Sequence, residues 1–261
     1  MEPFFFGLPE KPLFGVYHPP QCDSVRDCGI VLCYPIGHEY LHIHRAYRQL
    51  AIHLSNAGFH VLRFDFYGCG DSSGDEGVAG LYQCLSDISV AIDEIRSRCG
   101  FVRFCLAGYR LGGTLAVMAG AERGGIEGLV LWDGIVSGKG YIEELTILHR
   151  RFLRDYFPKP QRLPKHERLT ELKGFPLTDC MYTDLEKMNL LAIQQKPADN
   201  LLVIGSKKTI DERGLRDHLK SLGVHSDYQH IPCPGGWLVQ YQVVPIQVVQ
   251  TVVRWVSEVF R

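Results

Sequence analysis

Phe104-Cys105-Leu106-Ala107-Gly108-Tyr109-Arg110-Leu111-Gly112-Gly113-Thr114 is the stretch on which the fold turns. Phe104 to Ala107 show no polar alternation, the pattern of a strand covered on both faces. Beyond Leu111 the residues are small and read as a helix over about 111–122. Glycines at 108 and 112 bracket the change of period, and Arg110 stands at its apex. Glycine on either side of a sharp strand-to-helix turn lets backbone approach backbone where a Cβ would collide. Outward from this turn the same alternation repeats. Apolar runs at 14–17, 29–34, 60–66, 102–107, 128–132, 201–205 and 227–231 read as strands. Helical segments fall between them at about 43–57, 81–98, 111–122, 211–222 and 244–260. In the last, Val244, Val248, Val249, Val252, Val256 and Val259 form one apolar stripe suited to lying on a sheet. The alternation predicts an α/β fold with a mostly parallel central sheet and helices on both faces.

One interval breaks the rhythm. Between 137 and 197 no sheet strand is predicted. This interval contains an amphipathic stretch at 141–156, a Pro-rich basic loop at 158–165 and a further helix at 183–193. So long an insertion in a compact fold covers a site or is disordered, and its apolar periodicity predicts a folded helical lid. The expected organisation is a single domain over 1–261 with a lid or cap inserted at 137–197.

Composition excludes several function classes. The 261 residues carry 28 Lys+Arg against 29 Asp+Glu, a formal charge of -1, with 46% hydrophobic and 22% charged residues. A chain this balanced lacks the basic face of a nucleic-acid binder. Its longest apolar runs, such as Ile30-Val31-Leu32-Cys33-Tyr34 and Leu201-Leu202-Val203-Ile204, are strand-sized, far below the ~20 residues that span a bilayer. Met1-Glu2-Pro3-Phe4-Phe5-Phe6 has neither the basic flank nor the cleavage site of a signal peptide. Nine cysteines occur with no Cys-x-x-Cys pair, and no His-Glu-x-x-His or comparable metal spacing appears. Reduced thiols, no metal, no cofactor and a cytoplasmic location are expected.

Four further motifs give the chain a resemblance. They are Tyr34-Pro35-Ile36-Gly37-His38-Glu39-Tyr40, then Arg45-Ala46-Tyr47-Arg48-Gln49-Leu50-Ala51 on the following helix. The others are Leu62-Arg63-Phe64-Asp65-Phe66-Tyr67-Gly68-Cys69-Gly70-Asp71-Ser72-Ser73-Gly74 and Leu131-Trp132-Asp133-Gly134-Ile135-Val136-Ser137-Gly138. Over nearly its full length the chain resembles α/β hydrolases of the serine aminopeptidase S33-like type, and among them hydrolase-like proteins encoded near exosortase systems and natural-product assembly lines. The resemblance implies that 108–112 is the nucleophile elbow, Gly-x-Ser-x-Gly in active members. Arg110 then stands where the nucleophile belongs. The acid position after 201–205 reads Gly205-Ser206-Lys207-Lys208-Thr209, with no carboxylate before Asp211. The base position reads Pro234-Gly235-Gly236-Trp237-Leu238, and Trp237 cannot take a proton. Asp211 or His230 could still swing into the site, but the elbow would lack its nucleophile. Three vacant positions together predict that Ser-His-Asp chemistry is absent.

At the start of a helix an arginine needs an anionic partner. Arg110 therefore either holds an acidic ligand or pairs internally with Glu39 or Asp133, the internal pair being favoured at rest. Asp133, just past a strand, is either an acid that orients a base or a turn residue. The backbone N–H of Leu111, with that of Ile36 or Gly37, would form an oxyanion hole worth ~3 kcal/mol per donor. His38 is a candidate displaced base beside Glu39, and His42 and His44 are expected to open a helix. Tyr109 and Trp237 either pack over the pocket or stack on a ligand. Gly68-Cys69-Gly70-Asp71-Ser72-Ser73-Gly74 is expected to be structural, with Cys69 a small buried thiol. Arg150, Arg151 and Arg154 form a solvated face or meet an acidic carrier protein.

The expected catalytic set is thus Arg110, His38 and Asp133, and the expected substrate-binding residues are Ile36, Gly37, Glu39, Tyr109, Leu111 and Trp237. The favoured function is triad-less binding of a small acyl or carboxylate compound, free or tethered to a carrier protein, through Arg110 in a biosynthetic or export pathway. The alternative is an ester, thioester or amide hydrolase or acyl transferase with a non-serine mechanism.

Overall fold

The computed structural model describes residues 1–75, 80–100, 103–156, 168–207, 210–232 and 244–261, leaving out the side chains of 210 and 211. Among the described residues, the strands of the main sheet are β1 (Glu2–Leu8), β2 (Lys11–His18), β3 (Gly29–Cys33), β4 (His60–Phe64), β5 (Phe104–Tyr109), β6 (Gly128–Trp132), β9 (Asn200–Gly205) and β10 (His225–His230). They lie in the order β1-β2-β4-β3-β5-β6-β9-β10. β2 runs antiparallel to β1 and β4, and every other pairing is parallel. This is the mostly parallel α/β sheet that the alternation predicted, in the α/β-hydrolase architecture that the resemblance implies.

Period-two alternation decides which helices cover which face. Val31, Cys33, Leu106, Leu201 and Val203 point to the side covered by α2 (Leu81–Cys99) and α3 (Leu111–Arg123). Ile30, Leu32, Cys105, Leu202 and Ile204 point to the side covered by α1 (His38–Asn56) and α7 (Ile246–Val259). Val248, Val249, Val252 and Val256 of the predicted stripe are buried there. Each such side chain contributes roughly 1.5–3 kcal/mol of burial.

The interval between β6 and β9 holds α4 (Gly138–Tyr156), a hairpin of β7 (Glu171–Leu172) and β8 (Phe175–Pro176), and α5 (Asp179–Lys187). The helix expected at 183–193 is displaced. Thr178 caps α5 by accepting the Met181 N–H, and Met188 ends it in an extended conformation. Asn189 then caps a separate 3-10 turn, Leu190–Ala192. Local side-chain caps override periodicity at such ends. α1 opens at His38, a turn earlier than 43. The first residues, read only for targeting, form the edge strand β1. The basic loop at 158–165 lies outside the described residues. No helix among the described residues is long and apolar enough to cross a membrane.

Candidate active site

The site lies at the end of β5. Arg110 has φ 51° and ψ -125°, the strained elbow conformation, and its N–H donates to the Trp132 carbonyl at 2.8 Å. A side chain held at positive φ costs of order 1–3 kcal/mol unless its surroundings enforce it. Here they do, because β5 and α3 meet almost backbone to backbone. A Cβ at Gly108 would lie 2.4 Å from the Gly113 nitrogen, and one at Gly112 would lie 2.3 Å from the Cys33 carbonyl oxygen. The strained turn therefore persists although the residue at its apex is an arginine. Leu111 opens α3, so its N–H falls outside the helical ladder.

Two carboxylates share the Arg110 guanidinium. Nε donates to Glu39 Oε1 at 2.9 Å and Nη2 donates to Glu144 Oε2 at 2.8 Å. The Tyr141 ring lies 5.4 Å beneath the guanidinium, and its side chain also hydrogen-bonds Glu39. Glu39 sits in the first turn of α1, where the helix dipole favours an anion, and its side chain is 0% exposed. Burial pushes its carboxyl upward, and the Arg110 charge draws it back. The internal pair with Glu39 thus forms. Asp133, the other expected partner, does not pair with Arg110. Glu144, from α4, takes that place, and nothing in the sequence pointed to it. Its only local signal was its position one turn after Tyr141 in an amphipathic stretch. That pattern marks a helix face without saying what the face meets.

Asp133 has φ 46°, and its Oδ1 accepts the Ser206 N–H at 2.6 Å. It pins the loop after β9 to the end of β6. Burial raises its carboxyl, while the Ser206 donors favour the ionised form. Asp133→Ala is expected to lose about 1–3 kcal/mol of stability, and Asp133→Asn less, because asparagine tolerates positive φ and still accepts. Urea unfolding midpoints of the two variants check this.

His38 is 4% exposed, and neither ring nitrogen has a hydrogen-bond partner among the described residues. His42 approaches it edge-on at 5.9 Å. Burial, then the charges of Lys173, His42 and Arg110, press its pKa down to about 3. So weak a base, with no relay partner, is poorly placed to accept a proton from a substrate. Tyr109 is buried, its ring 4.6 Å from that of Trp132, and its N–H donates to the Tyr47 hydroxyl at 2.6 Å. Trp237 lies outside the described residues, as does the side chain of Asp211. His230 is the last residue of β10, and its Nδ1 donates to the Gly205 carbonyl at 3.0 Å. It is the last histidine in the chain.

Two cavities flank this cluster. An apolar one of ≈ 70 Å³ is lined by Ile36, Gly37 and Leu111, the expected carbonyl-binding backbone, together with Leu145, Leu172, Phe175, Met181 and Leu185 from the insertion. A polar one of ≈ 300 Å³ is lined by Tyr109, Arg110, Asp133, Glu144, Ser206, Lys207 and Glu212. Tyr141 lines both. Glu39 and His38 line neither, so Glu39 supports Arg110 from behind instead of touching a ligand. Cys69 borders the apolar cavity in a loop held by Asp65, which accepts the Asp71 N–H and the Tyr40 hydroxyl. The structural role expected of the loop agrees with that anchoring. Arg151 and Arg154 are exposed and both face Asp155. Among the described residues no cluster of His, Cys, Asp or Glu could hold a metal ion.

The profile of the family described as serine aminopeptidase, S33 matches residues 36–205. No curated protein matches the chain in sequence. Solved structures similar in fold include Est1E from Butyrivibrio proteoclasticus with ferulic acid bound. It has a TM-score of 0.70 at 17% identity, covering 98% of each chain. A soluble variant of monoglyceride lipase from Saccharomyces cerevisiae, in complex with a substrate analogue, has a TM-score of 0.69 at 15% identity. The match covers 100% of this chain and 96% of that one. DcsB in complex with its substrate analogue has a TM-score of 0.67 at 15% identity, covering 99% of each chain.

Proposed function

We propose, from the premise that this chain belongs to the serine aminopeptidase S33 family of α/β hydrolases, that it binds an acyl or carboxylate compound at the elbow and does not hydrolyse it. The observation that carries this reading is Arg110 itself, a charged, hydrogen-bonding side chain in the strained position that the family's chemistry gives to its nucleophile. Three further features support it. Ser206 and Lys207 stand where the acid is expected, no histidine follows His230, and Asp133 is committed to the Ser206 N–H. Among the described residues, nothing around Arg110 resembles a nucleophile with a base in reach.

The binding elements remain. Ile36, Gly37 and Leu111 line the apolar cavity, and their backbone N–H groups would polarise a carbonyl without any side chain. An acyl chain lies against Leu145, Phe175 and Met181, so the insertion between β6 and β9 acts as a lid. The acid group meets Arg110, whose planar fork suits a carboxylate. Such a protein would present or protect an acyl intermediate, free or carrier-tethered, within a biosynthetic or export pathway. Enzymatic action on an ester, thioester or amide carbonyl is the second reading. Its favoured base, His38, is buried beside the lid with a pKa near 3.

Calorimetric titration with octanoate tests the binding role. The parent protein is expected to bind, and the double variant Arg110→Gln/Glu39→Gln to bind at least about tenfold more weakly, a loss of ~1.4 kcal/mol. Changing both partners avoids leaving a buried charge alone. Equal affinities would remove Arg110 from the ligand.

A further inference from the structure

We infer that Glu144 is a built-in stand-in for the ligand's acid group, and that the site therefore selects monoanionic carboxylates, which bind by exchanging with Glu144 on Arg110. This rests on the reading above that Arg110 holds the ligand's acid. At rest the guanidinium is occupied, since Nε bonds Glu39 and Nη2 bonds Glu144. A third carboxylate would add a second excess negative charge to a poorly solvated cluster. Binding therefore requires that one carboxylate leave.

The two partners differ in their freedom to do so. Glu39 is 0% exposed, fixed in the first turn of α1 and lines neither cavity. Glu144 is 41% exposed, lines the polar cavity and is carried on the lid helix α4. Its carboxylate can turn into water with little desolvation to recover. The contact it makes also shows that a carboxylate entering from the polar cavity reaches Nη2 at hydrogen-bond distance. Exchange of one carboxylate for another leaves the charge of the cluster unchanged. A neutral head group could not displace Glu144, and a dianion would raise the negative charge. Tyr141, one turn earlier on α4, lies beneath the guanidinium and borders both cavities. Release of Glu144 therefore loosens the partition through which an apolar tail reaches the apolar cavity.

The probes are octanoate, octanol and octyl phosphate, titrated at pH 7.5 into the parent, Glu144→Gln and Glu143→Gln. Glu143, the exposed neighbour on α4, carries the same charge, so its variant controls for net charge alone. Glu144→Gln is expected to bind octanoate about fivefold more tightly than the parent, the release of a half-exposed ion pair. Glu143→Gln should match the parent, octanol should bind all three proteins alike, and octyl phosphate should bind the parent more weakly than octanoate does. Parent binding of octanoate with no gain in Glu144→Gln over Glu143→Gln overturns the exchange and leaves the role of Arg110 standing. Octyl phosphate binding more tightly than octanoate overturns the selection for a monoanion. Absence of octanoate binding in all three proteins overturns the binding role itself, and the exchange with it. Glu144 is half-exposed, so unfolding midpoints of both variants are expected to stay at the parent value.

Discussion

Arg110→Ala is expected to destabilise the protein by about 3–5 kcal/mol at neutral pH, the cost of leaving a buried carboxylate without its cation. The size follows from Glu39, whose side chain is 0% exposed and, among the described residues, would be left with the Tyr141 hydrogen bond. Glu144, by contrast, is partly in water and would lose little. The pH dependence has a definite sign. With the guanidinium gone, burial and the Glu144 charge outweigh the Tyr141 hydrogen bond and raise the Glu39 carboxyl above the unfolded value, so the folded state favours the protonated form. The penalty is absent below the ordinary carboxylate range and grows as pH rises through it. The deficit relative to the parent should therefore be small near pH 4 and full near pH 7. Adding Glu39→Leu to Arg110→Ala should recover most of the loss, because replacing both partners by apolar groups is close to neutral. Urea unfolding of the parent and the two variants at the two pH values measures all of this. A deficit independent of pH would place its origin in backbone or packing.

Gly112→Ala is the second large effect. A methyl group there would stand 2.3 Å from the Cys33 carbonyl oxygen and 2.6 Å from the Tyr34 carbonyl. Both are backbone atoms at the end of the central strand β3, which cannot turn aside as a flexible side chain would. The expected cost is about 3 kcal/mol or more, the upper end of overpacking effects. Gly214→Ala is the matching control. Gly214 lies inside the helix α6 (Ile210–Ser221), with nothing within 4 Å of the added carbon. That change should stabilise by roughly 0.5–1 kcal/mol through helix propensity. Opposite signs at the two glycines, read from unfolding midpoints, would show that close backbone approach at the elbow is what demands glycine there.

The parts of the fold legible in the sequence were those set by short-range pattern. The run from Phe104 to Gly113 identified a strand, a sharp turn and a helix, because burial on both faces and glycine clearance leave local traces. The valine stripe of α7 was legible for the same reason. What escaped depends on contacts made by residues distant along the chain. Glu144 meets Arg110 across 34 positions, and Asp133 meets the Ser206 N–H across 73. The sequence left Asp133 divided between a catalytic acid and a turn residue, and its bond to Ser206 commits it to holding a loop. Glu39 was expected to touch a ligand, but an acid in the first turn of a helix gives no sign of whether it faces a cavity or a buried cation. The end of α5 was misplaced because the caps at Thr178 and Asn189 outweigh apolar spacing.

The proposed role makes the elbow a binding site in which Arg110 stands in place of a nucleophile. The most direct measurement is hydrolysis of a graded series of acyl esters and acyl thioesters by the parent protein, beside Arg110→Gln/Glu39→Gln, at a concentration where the parent binds octanoate. The predicted result is no hydrolysis above the uncatalysed rate by either protein, with octanoate binding confined to the parent. Turnover by the parent that disappears in the double variant would contradict the claim and make Arg110 part of a reaction.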